Sequence, residues 1–113
     1  MEGGLKMKKI FKYILEITDE QELILPMDSK ILSVKEQYGD IVVYALVNTS
    51  IKGIEGYSFI IHGTGHNTIE NIDNYIFLGT VKLKEGALMF HVFYDQKDIK
   101  SITSIPKIQL QFE

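Results

Sequence analysis

Two imidazoles, a hydroxyl and two glycines occupy the five residues His62-Gly63-Thr64-Gly65-His66, directly after the apolar run Tyr57 to Ile61. Glycine lets backbone approach a ligand closely and adopt dihedrals closed to other residues. Successive N–H groups in such a turn form an anion-binding concavity. The same residues are also ordinary turn chemistry, since glycine and threonine both serve tight connections after strands.

Three chemistries can be weighed on these side chains. A metal site would draw on His62, His66 and His91, with Glu70 and Asp73 near in sequence; imidazole and carboxylate are common ligands. His62 and His66 are four apart across two glycines, which is no helical pair, and His91 shares a face with Met89 and Phe93. No metal or other cofactor is therefore expected. A hydrolase would use Thr64 with His62 or His66 as its base, because a nucleophile must be activated by a neighbouring proton acceptor. The chain has no nucleophile elbow, P-loop or His-Glu-x-x-His, the motifs with an explicit catalytic mechanism, so a non-enzymatic role is expected. Nucleotide binding needs aromatic planes for bases and donors for phosphates, and each base stacked on an aromatic ring contributes roughly 1–3 kcal/mol. Six phenylalanines and six tyrosines are present, and most must fill the core. Tyr13 and Tyr57 are the expected exposed planes, because polar or small residues flank them at Lys12, Gly56 and Ser58.

The elements that must position these groups read as strands. Ile10 to Ile17 alternates with Phe11, Tyr13, Leu15 and Ile17 on one side, the period-two signature of a strand. Thr18 to Gln21 reads as a turn, and Glu22 to Leu25 as a short extended piece halted by Pro26. Lys30 to Gln37 and Ile41 to Val47 form a hairpin about Tyr38-Gly39-Asp40, where glycine meets the turn's dihedral demand. Asn48 to Gly56 reads as a loop, Asn67 to Asn74 as a polar connection, and Tyr75 to Leu83 with Ala87 to Tyr94 as a second hairpin about Lys84-Glu85-Gly86. Asp95 to Ser104 is a weak helix candidate, because its apolar positions are β-branched isoleucines, which disfavour helix. Lys107 to Phe112 alternates as an edge strand or swapped arm.

A chain of 113 residues fits one domain, long enough to bury a core. The expected fold is mostly β, a single antiparallel sheet or a compact β-sandwich, spanning residues 7–95 with a C-terminal extension over 96–113. Residues 1–6 are expected to be a flexible leader or a misannotated start, with Met7 the native first residue. The strands Ile41 to Val47 and Ala87 to Tyr94 are apolar on both faces. So small a chain has little material to cover both, and burial between copies, as a homodimer or tetramer, is the economical expectation. Cysteine is absent, which excludes disulfides, thiolate metal sites and cysteine nucleophiles. The net charge is −3 and all twelve basic residues are lysine. Duplex nucleic acid, which is held by neutralising many phosphates, is not an expected partner. No apolar run approaches a membrane span, and the start lacks a secretory signal pattern, so no membrane association is expected.

The order and spacing of several pieces resemble a small phage-borne domain family. These pieces are Ile10-Phe11-Lys12-Tyr13 with Thr18-Asp19-Glu20-Gln21, Ile31-Leu32-Ser33-Val34, Tyr44-Ala45-Leu46-Val47, Phe59 to His66, Leu78-Gly79-Thr80, and Gly86 to Phe93. The resemblance extends to viral sponge proteins that counter bacterial CBASS immunity by sequestering cyclic nucleotide signals, such as cyclic dinucleotides, without cleaving them. It implies a cyclic-nucleotide ligand and action in the host cytoplasm. It further implies that Gly63, Thr64 and Gly65, flanked by His62 and His66, contact phosphate or ribose. Tyr13 or Tyr57 would stack on a base, and Lys12 would neutralise charge. The chain departs from the family pattern at Asn67, where a proline is usual, and in its C-terminal extension. The rival readings are an enzyme that degrades such a signal with His62, His66 or His91 as acid or base, and a module that binds a host defence protein.

Overall fold

Period-two alternation dominates the chain, and the structure, a computed structural model, forms strands wherever that alternation is sustained. It describes residues 7–97 and 111–112. Eight strands follow one another: β1 (Lys8–Leu15), β2 (Glu20–Pro26), β3 (Lys30–Gln37), β4 (Asp40–Asn48), β5 (Ile54–Gly63), β6 (Ile76–Leu83), β7 (Leu88–Lys97) and β8 (Gln111–Phe112). Short 3₁₀ turns at Ile72–Asn74 and Lys84–Gly86 are the helical elements among the described residues. No helix among them is long and apolar enough to cross a membrane.

The strands form two four-stranded sheets, ordered β3-β4-β1-β8 and β2-β5-β7-β6, in which neighbours run antiparallel. This is a β-sandwich, the second of the two architectures expected. Both expected hairpins form, β3 with β4 and β6 with β7. Their turns use left-handed backbone, at Gly39 (φ +85°) in the first and Gly86 (φ +94°) in the second, where a side chain would add strain.

Three boundaries differ from the sequence reading, the first at Glu20, where β2 begins inside the turn expected over Thr18 to Gln21 because Glu20 and Gln21 pair with Ile60 and Phe59 of β5. The segment expected as a loop from Asn48 shortens, because β5 begins at Ile54 and pairs with Pro26 at the end of β2. Pro26 lies on an edge strand, where its missing N–H leaves no ladder bond unmade. The helix proposed from Asp95 is replaced by strand as far as Lys97, because Gly56 to Phe59 of β5 offers Tyr94 to Lys97 a continuing ladder. Residues 98–104 of that candidate lie outside the described residues, as do residues 1–6 and 107–110. Gln111 and Phe112 pair with Tyr13 and Lys12 at the edge of the first sheet, the position expected of an edge strand.

The core lies between the sheets. Phe11, Tyr13, Leu15, Ile41, Val43, Ala45 and Val47 from the first sheet meet Leu23, Leu25, Tyr57, Phe59, Ile61 and Val92 from the second. Burying a large apolar side chain contributes about 1.5–3 kcal/mol, so these residues supply the main drive to fold. The outward face of β4 is also sheltered, with Val42 only 2% exposed. The outward face of β7 is half-open, with Met89 39% exposed.

At one point backbone stands where a side chain would collide with the opposite sheet. A β-carbon on Gly79 of β6 would lie 3.0 Å from Cγ1 of Val34 in β3. The substitution Gly79→Val is expected to destabilise the fold by about 1–3 kcal/mol through overpacking. Adding Val34→Ala should recover part of that loss, which a double-mutant cycle of urea midpoints measures. Additive losses would place the strain elsewhere.

Candidate functional site

The pairing of β5 with β7 decides which residues meet at the end of the second sheet. In that register His62 faces His91, and His91 faces Thr80 of β6 on its other side. The row His62, His91, Thr80 therefore crosses three strands on the side away from Phe59, Ile61 and Val92, because alternate residues point to opposite faces.

Hydrogen bonds tie this row to the glycine turn. Thr64, just past β5, places Oγ1 2.7 Å from Nε2 of His91, while Oγ1 of Thr80 lies 3.0 Å from Nδ1 of the same ring. His62 Nε2 lies 2.8 Å from the His66 carbonyl oxygen. A carbonyl only accepts, so Nε2 of His62 carries the proton and donates it. The rings of His62 and His66 meet edge to face with centroids 6.4 Å apart. A β-carbon on Gly63 would come within 3.2 Å of the His66 ring, so glycine is what lets that imidazole fold back over the turn.

The turn's backbone is less open to an anion than its composition suggests. The Thr64 N–H donates to the Met89 carbonyl at 3.4 Å, and the His66 N–H donates to the Gly63 carbonyl at 3.2 Å. The Gly65 N–H has no acceptor among the described residues. Gly65 is left-handed at φ +88° with open space around it. One free N–H, an exposed imidazole at His66 and the Thr64 hydroxyl are the donors the turn presents, in place of a run of free N–H groups.

Clefts flank the turn on its two sides. One, of about 250 Å³, is lined by Asp19, Ile60, His62, His66, Asn67 and Thr68 among others. The other, of about 270 Å³, is lined by Gly63, Thr64, His66, Leu88, Met89 and Phe90 among others. Among the described residues no group of three or more His, Cys, Asp or Glu is placed to hold a metal ion.

Five of the eight residues expected at the site, His62, Gly63, Thr64, Gly65 and His66, come together here. Tyr13 and Tyr57 do not, and their expected exposure is corrected: they are 2% and 4% exposed. Each points inward with its strand's apolar residues, Tyr13 with Phe11 and Leu15, Tyr57 with Phe59 and Ile61. Neither can stack on a base from that position. Lys12 lies in the other sheet, on the face away from the core, where its Nζ donates to Oε1 of Gln37 at 3.2 Å and Tyr44 donates to the same oxygen at 3.0 Å. Within one chain it is not part of the glycine-turn site. The structure supplies partners that sequence reasoning missed, Thr80 and exposed Lys82, which faces Met89 two positions beyond Thr80, and it joins to the turn His91, which the sequence reading weighed only as a metal ligand or an enzyme's acid or base. The sequence signal was present in Thr80 and Lys82 sharing one face of their strand.

A family model matches residues 7–103, most of the chain; its description is a domain of unknown function (DUF7352). The chain belongs to this family. No curated protein and no solved structure matched it. The DUF7352 match spans every residue of the turn and of the His62, His91, Thr80 row.

Tyr57 has a structural task instead. Its hydroxyl donates to the Glu55 carboxylate and lies 3.1 Å from the Ser29 carbonyl oxygen, and Glu55 in turn accepts the Asp28 N–H at 2.9 Å. This network fastens the β2–β3 turn, where Asp28 is left-handed at φ +64°, onto β5. Burial first, and then the hydrogen bond to Glu55, push the Tyr57 phenol well above its usual value of 10.0. The folded chain therefore binds a proton that the unfolded chain releases above about pH 10, so this stabilisation is complete below pH 10 and is lost as pH rises beyond it. Tyr57→Phe is expected to cost about 1 kcal/mol at neutral pH. It should also flatten the decline of stability above pH 10, as read from urea midpoints at stepped pH; an unchanged slope would assign the decline to other groups.

Proposed function

We propose that this domain binds a small anionic nucleotide signal, of the cyclic dinucleotide kind, and holds it without cleavage. The observation that carries the reading is the convergence, beside two clefts, of the Gly63 to Gly65 turn with the row His62, His91 and Thr80, tied to it by the His62–His66 and Thr64–His91 hydrogen bonds. A phosphate needs donors, and the Gly65 N–H, the Thr64 hydroxyl and the His66 imidazole present them together. Lys82 is near enough in register to add positive charge to the same face. The resemblance to phage sponge proteins supports the sequestering role and, with it, action in the host cytoplasm.

One observation favours a second reading, an enzyme that degrades the signal. Thr64, His91 and Thr80 form a hydroxyl–imidazole–hydroxyl chain, and a nucleophile bonded to a base that a third group orients is the general plan of covalent catalysis. Thr80 weakens that reading. It is neutral, so it gives no charge stabilisation to an imidazolium, unlike the carboxylate of a hydrolase triad.

Self-association belongs to the proposal. On the outward face of the first sheet, Ile10 (56% exposed) stands beside its half-buried register partner Leu46 and shares a strand face with half-buried Ile14, and Leu32 (38% exposed) lies at the register shift of β3. Exposed apolar groups gathered on one sheet face mark an interaction surface, and a second copy is the proposed occupant.

Two measurements test these statements. The protein in excess is incubated with cyclic di- and trinucleotides, free ligand is quantified, and the protein is then heat-denatured. Depletion with intact recovery is expected, and Thr64→Val should weaken binding about tenfold, the order expected for a lost hydrogen bond to a charged group. New products that vanish in Thr64→Val would establish the enzyme, and no depletion would remove both readings. Light scattering should give a mass that is a multiple of 12.9 kDa, falling to the monomer in Ile10→Glu/Leu46→Glu; a monomeric parent chain would overturn the self-association.

A further inference from the structure

The two clefts beside the glycine turn differ in character and share a wall. The first is the more polar of the two, with Asp19, Asn67 and Thr68 beside Ile60 and Ile69 in its lining. The second is mainly apolar, with Ala87, Leu88, Met89 and Phe90. His66 lines both, and its N–H bond to the Gly63 carbonyl holds it at the crest between them. Pockets that enclose a drug-sized ligand run from about 300 to 1,000 Å³. Neither cleft, at about 250 and 270 Å³, reaches that range alone, whereas a ligand entering both would have a volume within it.

We infer that the site takes a two-armed ligand that straddles the turn, with one flat ring in each cleft and its anionic linker over Gly65 and Thr64. The inference rests on the nucleotide-binding reading above and specifies how that ligand is seated. The linker lies where the Gly65 N–H is free and where open space surrounds the left-handed glycine. The Thr64 hydroxyl, bonded to His91, is the second donor to it. The polar cleft reads the edge of its ring through Asp19, Asn67 and Thr68, since a carboxylate accepts from ring N–H and amino groups. The apolar cleft takes the face of the other ring and is tolerant of its identity, because every base has a π-face.

The arrangement predicts that two arms bind far better than one. A two-armed ligand pays the entropy of association once and gains both sets of contacts. A mononucleotide can fill either cleft but not both.

The test uses the full chain with cyclic di-GMP, cyclic di-AMP and cyclic GMP–AMP as two-armed probes, and GMP and AMP as one-armed probes, in equilibrium dialysis. Two variants each fill one cleft at an exposed position, Thr68→Trp in the polar cleft and Ala87→Trp in the apolar one. Circular dichroism and thermal midpoints establish that both remain folded; a variant that does not is replaced by Asn67→Trp or Met89→Trp at the same cleft. The strongest two-armed probe should bind the parent chain at least a hundredfold more tightly than its mononucleotide. Either variant should reduce that advantage tenfold or more. A two-armed probe that binds no better than its mononucleotide, or a folded variant that leaves its affinity unchanged, would overturn the straddling geometry while leaving nucleotide binding intact. Absence of binding by all five probes would overturn the nucleotide reading and the seating with it.

Discussion

The antiparallel register between β5 and β7 is the constraint on which the rest of the molecule depends. It aligns Gly56 to Gly63 with Lys97 to Phe90 at the centre of the second sheet. In one stroke it turns Phe59, Ile61 and Val92 toward the core and places His62 beside His91 on the opposite face. Because side chains alternate with a period of two, a slip by one residue would exchange those faces. Core and site are therefore specified by the same pairing, and the apolar residues that hold the register also hold the imidazoles in their row.

Local patterning made most of this architecture legible. The alternation at Lys30 to Gln37, the glycine of the Tyr38-Gly39 turn and the Lys84-Glu85-Gly86 turn each named an element that the structure contains. The glycine-flanked histidines were equally visible, since both fall within one run of five residues. What was hidden depends on contacts between segments far apart in sequence. Nothing local pairs His62 with His91, 29 positions away, or His91 with Thr80. The residues Tyr13 and Tyr57 show a different failure. Their polar neighbours in sequence lie on the other side of the strand, so neighbour polarity says nothing about burial, whereas their partners two positions away, Phe11 and Leu15, Phe59 and Ile61, point correctly to the core. The strand continuing past Asp95 was missed because β-branched isoleucines argued against helix without revealing that β5 had unpaired ladder to offer.

The two sheets divide the labour of the fold. The first carries an outward face on which Lys12, Gln37 and Tyr44 share one hydrogen-bonded oxygen amid aliphatic residues. The second carries the turn and its clefts. Where their edges meet, Gly79 permits β6 to lie against Val34 of β3, so the missing side chain lets the sheet with the site close onto its partner.

The hydroxyl–imidazole–hydroxyl chain also has a direction, and a neutral histidine permits either one. If an acceptor such as a phosphate oxygen takes the Thr64 proton, Thr64 must accept from Nε2–H of His91, and the bare Nδ1 then draws the Thr80 proton inward. If a donor approaches Thr64 instead, Thr64 gives its proton to Nε2, Nδ1–H bonds to the Thr80 oxygen, and the Thr80 proton turns outward. The polarity met at the turn is thereby written in reverse at the sheet's edge strand, two hydrogen bonds away. A proton wire of this kind lets one surface receive either hydrogen-bonding sense without moving its backbone.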